Sequence, residues 1–321
     1  MGPGVYLKCL ATILSRVVSK TSGFLGAMAD KIRNKVFICS NNQQLLGAKV
    51  SRYTLEKYRR ADLFEVVILN TDEGSELDRL AGQTYLRAGE IHRFSATELQ
   101  SWTLIRFAPP ELMNYQGKAV VIDPDVFAVG ADVGELFERD MTETPILARR
   151  GKGKGIWASS VMVLDCARLR QWSLAKIVDG LLAHELDYRV LMDLRGETES
   201  IGEIEEAWNC FDRIDGSTRL LHTTVRMTQP WRTGLPLDMV INRPPPFMGV
   251  IPREWIHALL GRRQPTVHQE HPDPKVKTFF FSHLKGAVEA GVIQEDEVNL
   301  AVEQGQIRAD IWEQLDRAES A

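Results

Sequence analysis

Asp123, Pro124 and Asp125 follow directly on the apolar run Lys118–Ile122 (KAVVI) and precede a second apolar run at residues 126–129 (VFAV). On an extended segment, side chains two residues apart point to the same side, and a proline pushes the residue before it into the extended region. Both carboxylates then converge. Convergent carboxylates at a strand end are hard oxygen ligands suited to Mg2+ or Mn2+, and such an ion would neutralise a diphosphate. Asp-Pro-Asp is also a common composition for a strand-ending turn; the flanking apolar runs favour the chemical reading. His222, near the end of RLLHT at residues 219–223, offers an imidazole from a separate strand. It would complete a mixed oxygen and nitrogen shell, a set that favours Mn2+ over Mg2+.

Other side chains carry two readings each. Lys152 and Lys154 with their glycines (RRGKGKG) make either a mobile basic lid over phosphates or a solvated connection, the latter being the commoner outcome. The segment is no Walker loop, since it lacks the Gly-Lys-Ser/Thr ending and a following helix. Trp102, Trp157 and Trp208 could stack on sugar rings, although core packing is the usual fate of tryptophan. His268 and His271 (HQEH), in a proline-rich stretch, read as surface residues. The four cysteines, Cys9, Cys39, Cys166 and Cys210, form no Cys-x-x-Cys pair and read as buried reduced thiols.

The elements that must position this chemistry are legible as short runs rich in Val and Ile: residues 35–39 (KVFIC), 65–69 (EVVIL), 118–122 and 160–164 (SVMVL). Continuous apolar runs of this length fit strands covered on both faces. Asn41 or Asn42 can cap a helix whose apolar positions Leu46, Val50, Tyr53 and Tyr58 follow a helical period. Residues 98–115 read as a helix broken near Pro109-Pro110, 169–182 as an amphipathic helix, and 279–318 as a helical tail. RPPPF at 243–247 can be neither helix nor central strand. Alternation of strand and helix predicts an α/β sheet. The first three runs end in Ser40-Asn41-Asn42, Asn70-Thr71-Asp72 and Asp123-Pro124-Asp125, and such sheets bind ligands beyond the carboxyl ends of their strands.

With 39 basic and 43 acidic residues and a pI near 6.0, the chain has no broad footprint for nucleic acid, so an anionic partner must be held locally. Residues 5–18 (VYLKCLATILSRVV) are too short and too charged to span a bilayer, and their order is not that of a signal peptide. They read as an ordinary extension, with Met28 an alternative start, or as an amphipathic helix on a membrane surface. The expected location is cytoplasmic, with any membrane contact peripheral.

Together these pieces resemble the glycosyltransferase family 8 type over residues 35–231, in the family's order. The parts are KVFICSNN, LIRFAPPEL, VVIDPDVFAVGADVGELF, WASSVMVLDCARLRQW, AWN and HTTVRMTQPW. The resemblance implies a retaining GT-A-type fold for nucleotide-diphospho-sugar transfer, with a mostly parallel central sheet flanked by helices. The catalytic domain would span 35–250, between an extension at 1–34 and a proline-rich strap and helical C-terminal tail at 251–321. It also implies that Asp123, Asp125 and His222 hold Mn2+ or Mg2+, that Ser40, Asn42, Arg106 and Gln229 contact the donor, and that Asp187 lies beside the reacting sugar carbon. The implied donor is a UDP-sugar, and the acceptor is a hydroxyl of a glycan, lipid or protein. The sequence departs from the family at Ser40, usually aspartate, at Gln229, usually lysine, and at Tyr188, often glutamine; Arg226 or Arg232 could supply the missing charge. Residues 158–160 lack the family's asparagine-glycine pair. Two alternatives remain open. A nucleotidyltransferase would want a glycine-rich signature where SNNQQLLG stands, and a non-catalytic nucleotide- or glycan-binding member fits the departures at Ser40 and Gln229.

Overall fold

The computed structural model describes residues 34–71, 74–95, 102–197, 200–237 and 265–320. The amphipathic reading of residues 5–18, Cys9, Met28, the first residues of the 98–115 helix and the RPPPF strap lie outside them.

The chain opens with β1 (Asn34–Ser40), a 3-10 turn at Asn42–Gln44, α1 (Leu45–Lys57) and β2 (Phe64–Asn70). Asn41 caps the turn, its side chain accepting from the Gln44 N–H at 3.1 Å. A hairpin of β3 (Thr84–Arg87) and β4 (Glu90–Arg93) follows, then a 3-10 segment at Thr103–Phe107 and α2 (Pro109–Leu112). Next come β5 (Lys118–Ile122), β6 (Val126–Ala128), β7 (Ile146–Arg150), β8 (Trp157–Asp165), α3 (Leu174–Leu182) and α4 (Tyr188–Met192). The order ends with β9 (Ile201–Glu203), β10 (Cys210–Phe211), β11 (Leu220–His222), α5 (Pro274–Glu289), α6 (Glu295–Glu303) and α7 (Ile311–Arg317).

The fold is α/β, with a central six-stranded sheet in the order β2-β1-β5-β8-β7-β9. The pairs β1/β2, β1/β5 and β7/β9 are parallel; β5/β8 and β7/β8 are antiparallel. Both faces are covered, which is why the strands read as unbroken apolar runs. Phe37, Cys39, Ala119 and Val121 pack into one core, and Val36, Ile38, Val120 and Ile122 into the other. A smaller sheet, β10-β11-β6, stands at the carboxyl end of β5. A third core joins Leu46 and Val50 of α1 and Trp231 to Val276, Phe280, Phe281 and Leu284 of α5.

Three helical expectations change. The prolines at 109 and 110 start α2 instead of breaking a helix, because a first-turn N–H has no intrahelical acceptor to lose and the proline φ suits that turn. Helix 169–182 shortens to α3, although Leu169 and Trp172 still face the core. The tail is three helices, interrupted after α5 and α6 where Gly291 (φ 68) and Gly305 (φ 65) take the left-handed conformation that ends helices. Among the described residues no helix is long and apolar enough to cross a membrane.

Candidate functional site

The site is built where the central sheet hands over to the small one. The Asp123 N–H donates to Ser160 O at 3.1 Å, extending the β5/β8 ladder by one rung. Pro124 and Asp125 then turn the chain, the Val126 N–H closes on Asp123 O at 3.3 Å, and β6 begins. The two carboxylates therefore meet through a turn, not through the extended alternation expected from spacing. β11 runs antiparallel to β6 with His222 opposite Val126, and the Thr223 N–H donates to Asp125 O at 3.1 Å. This register carries the imidazole to the carboxylates. Its Nε2 lies 3.4 Å from Asp125 Oδ1 and 3.8 Å from Asp123 Oδ2, and one ligand atom from each residue lies within 4.8 Å of the others. Gly47 of α1 permits the close approach of the helix: a Cβ there would stand 3.0 Å from Pro124 O.

Each candidate ligand is braced. Arg106 makes a bidentate pair with Asp123, Nε to Oδ1 at 2.8 Å and Nη2 to Oδ2 at 2.5 Å, while Nη1 donates to Ser159 Oγ at 3.1 Å. His222 Nδ1 stands 2.9 Å from Asn209 Oδ1, and Asn209 Nδ2 donates to Ser160 Oγ at 3.0 Å. With its amide nitrogen thus committed, Asn209 presents an acceptor, so Nδ1 carries the proton and Nε2 turns its lone pair to the carboxylates. Gln229 Nε2 donates to Asp125 Oδ2 at 2.8 Å and to Thr223 O at 3.3 Å.

Burial pushes the Asp123 carboxyl above its ordinary range, opposed by the Arg106 guanidinium and by His222. Burial alone would lower His222; the carboxylates of Asp125 and Asp123 outweigh it and hold the imidazole above its usual value. The pair of acids thus attracts positive charge to the position of Nε2, where a proton and a divalent cation compete. Two carboxylates and an oriented imidazole fit Mn2+ or Mg2+. Bonds of about 2.1 Å set neighbouring ligand atoms roughly 3 Å apart, a small contraction from the 3.4 and 3.8 Å seen here.

A cavity of about 210 Å³ opens on these groups, with Arg106, Gln229, Thr224 and Arg226 also in its wall. Arg226, not Arg232, brings positive charge to it; Arg232 is buried beside His268. Ser40 is fully buried and donates to Asn41 O at 3.0 Å. Asn42 accepts from Asn70 Nδ2 at 2.7 Å and lines a separate cavity of about 270 Å³ with Lys49 and Glu297. The Asp187 carboxylate accepts from the backbone N–H groups of Ala88, Gly89, Arg189 and Val190 at 3.0, 2.7, 2.7 and 3.3 Å, tying the β3–β4 turn to the start of α4. Trp102 and Trp208 are buried and Trp157 half-buried. Lys152 and Lys154 lie in an exposed connection between β7 and β8. His268 and His271 are buried, not on the surface: each Nδ1 is engaged with backbone, near Arg226 O at 2.9 Å and Asp273 O at 3.0 Å. Cys39, Cys166 and Cys210 are buried and free.

Sequence reasoning missed the role of Asn209 and the place of Gln44 in the cavity wall. Asn209 stands in AWN, 13 residues before His222, and only the β10/β11 pairing brings it to the imidazole. Gln44 resembles any polar residue at a helix start, and nothing in its neighbours sets it apart.

No protein-family model matches the chain, and no curated protein does. Among solved structures it is similar to the galactosyltransferase LgtC in complex with donor and acceptor sugar analogs, at 14% identity over 62% of this chain and 89% of that one, with a TM-score of 0.43. It is also similar to the glycosyltransferase GlyE of Streptococcus pneumoniae TIGR4, at 14% identity over 73% and 65% with a TM-score of 0.44. Mouse xyloside xylosyltransferase 1 matches at 13% identity over 60% and 98% with a TM-score of 0.40.

Proposed function

We propose that this protein is a metal-dependent glycosyltransferase that takes a sugar from a nucleotide-diphospho-sugar, with UDP as the nucleotide and retention at the anomeric carbon, and passes it to a hydroxyl acceptor. The observation that carries the reading is the convergence of Asp123, Asp125 and His222 in one cavity. The ordered motif resemblance over residues 35–231 supports it. Asp123, Asp125 and His222 would hold Mn2+ or Mg2+, and such a cation supplies Lewis-acid neutralisation of the diphosphate leaving group.

The protein's own groups do the rest. Arg106 holds the Asp123 carboxylate in one orientation, and Asn209 fixes the His222 tautomer. Arg226 adds positive charge at the cavity wall, taking over part of what the family's lysine does where Gln229 stands. Ser40 and Asn42, which the resemblance places against the nucleotide, shape the turn that leads into α1. Asp187 is read as the carboxylate that faces positive charge developing at the sugar carbon. Placement in the cytoplasm accords with the free buried thiols, in line with a reducing compartment.

The test is a thermal-shift panel of UDP, GDP, dTDP and CMP with and without Mn2+, on the wild type and on Asp125→Ala. A ligand at a hundredfold excess over its dissociation constant adds about 2.7 kcal/mol to stability. The expected result is a Mn2+-dependent shift with one nucleotide, lost in the variant together with donor hydrolysis. Undiminished turnover by Asp125→Ala refutes the metal assignment, and no shift with any nucleotide refutes the donor class.

A further inference from the structure

Among the described residues five buried side-chain polar atoms have no hydrogen-bond partner, and three of them, Gln44 Oε1, Trp102 Nε1 and Gln229 Oε1, belong to the wall of the one 210 Å³ cavity that holds the acid–imidazole cluster. The residues are 4%, 5% and 1% exposed. Buried polar atoms are rarely left unpaired, because each costs the free energy of its lost hydration. Three that share one cavity mark a place where a ligand completes them.

We infer that Gln44, Trp102 and Gln229 form a hydroxyl-reading subsite for the sugar ring that is transferred. This rests on the glycosyltransferase reading and deepens it. The chemistry of the three atoms selects the ligand. Two are amide oxygens, which only accept, and one is an indole N–H, which only donates. A phosphate in this position would set its own oxygens against the two carbonyls. An apolar group would leave all three unpaired. A polyol satisfies them together, since each hydroxyl both donates and accepts.

The placement of the atoms is fixed by their neighbours. Gln229 gives both its N–H groups to oxygens, Asp125 Oδ2 and Thr223 O, so its carbonyl must face away from them. Trp102 lies with its ring 5.2 Å from the Arg106 guanidinium, which holds the indole beside the Asp123 pair. Gln44 comes from the turn between β1 and α1 and is anchored by its backbone N–H on Asn41. Three separate parts of the chain thus surround the space next to the cluster. The cavity they share with the cluster measures about 210 Å³, room for a sugar-sized group beside the cluster. The glutamine at position 229 becomes intelligible on this view: it is an acceptor for a hydroxyl, not a weakened substitute for a phosphate-binding lysine.

The experiment compares Gln44→Met and Trp102→Phe with the wild type by isothermal titration calorimetry in saturating Mn2+, using UDP and then UDP-glucose, UDP-galactose, UDP-N-acetylglucosamine and UDP-xylose. Gln44→Met removes the whole side-chain amide at nearly constant volume, and Trp102→Phe removes the indole N–H and leaves a smaller ring. The expected result is UDP affinity within about twofold of the wild type, and a loss of about tenfold or more for the best-bound nucleotide-sugar, the usual consequence of an unpaired ligand hydroxyl. Equal losses for UDP and its sugars would mean that these residues read ribose or phosphate, and would overturn the inference. So would equal affinities for wild type and variants. If the wild type binds none of the five probes, the glycosyltransferase reading itself fails, an outcome distinct from binding without discrimination.

Discussion

Replacing Arg106 by Met is expected to cost far more stability than a typical surface substitution, and to make the protein lean on a divalent cation. Arg106 and Asp123 side chains are 9% and 6% exposed and joined by two short contacts, at 2.8 and 2.5 Å. In a bidentate pair the charge centres lie about 4 Å apart, an attraction of about 4 kcal/mol at an effective dielectric constant of about 20. The carboxylate stays buried when the guanidinium is removed, with His222 Nε2 at 3.8 Å as the remaining basic nitrogen at ion-pair distance among the described residues. Breaking one side of a buried pair in this way costs about 3–5 kcal/mol. Urea unfolding in the presence of a chelator, followed by tryptophan fluorescence, should report a loss of that size for Arg106→Met. Mn2+ should then stabilise the variant more than the wild type, because the ion replaces the missing charge. The double variant Arg106→Met with Asp123→Leu removes both charges and should lie within about 1–2 kcal/mol of the wild type, far from the sum of the single losses. A loss below about 1 kcal/mol for Arg106→Met, or additive losses in the double variant, would refute the buried-pair argument.

The other predictions concern the frame around the site. Burial alone would raise the Asp187 pKa, but bonds from Gly89, Ala88, Arg189 and Val190 lower it, so the group is ionised at neutral pH; Asp187→Asn should keep the fold and lose about a hundredfold or more in turnover if the carboxylate stabilises positive charge, and turnover that merely follows stability would end that assignment. Phe280→Ala empties a position 1% exposed whose ring stacks on Trp231 at 4.5 Å; it should cost about 3–5 kcal/mol and weaken Mn2+-dependent nucleotide binding, because Trp231 closely follows Gln229, and a calorimetric titration that finds wild-type affinity would break that link. Burial, then the charge of Lys57, lowers the His283 pKa despite its bond to Phe279 O. The folded value lies below the unfolded value of about 6.5, so the unfolded chain takes the proton first; stability is full above pH 6.5 and falls by up to about 1.4 kcal/mol per pH unit below it. His283→Gln should remove that slope from urea titrations between pH 7.5 and 5, and a slope unchanged in the variant would show that His283 does not cause it.

The pattern of residues along the chain was enough to place four of the six central strands, β1, β2, β5 and β8, and to pick out Asp123, Asp125 and His222, whereas the strands β7 and β9 went unread. Runs such as AVVI at 119–122 and VFIC at 36–39 are apolar at every position because the strands are buried on both faces, and burial of that kind is written in composition alone. Polar residues end those runs because a strand stops being apolar where its ladder ends; of them Asp123, Pro124 and Asp125 line the cavity of the cluster, while Asn42 lines another. Asp123, Asp125 and His222 were legible for the same reason, each following an apolar run. What tertiary structure decided was how they meet and what surrounds them. The carboxylates converge through a turn that hands the chain to the smaller sheet, and the imidazole arrives by the β6/β11 register, a pairing of residues 96 apart at His222 and Val126. Arg106 could be picked out by resemblance, but that it spends its guanidinium on Asp123 depends on where the 3-10 segment lies. Asn209 lies in AWN, a stretch the resemblance marked without giving the asparagine a role, and Gln44 carried no local signal, since an amide side chain is the same in a surface turn and in a buried wall. Only contacts between distant segments assign such residues: hydrogen-bond partners, or their absence, are properties of the packed chain and have no period or composition by which a sequence could announce them.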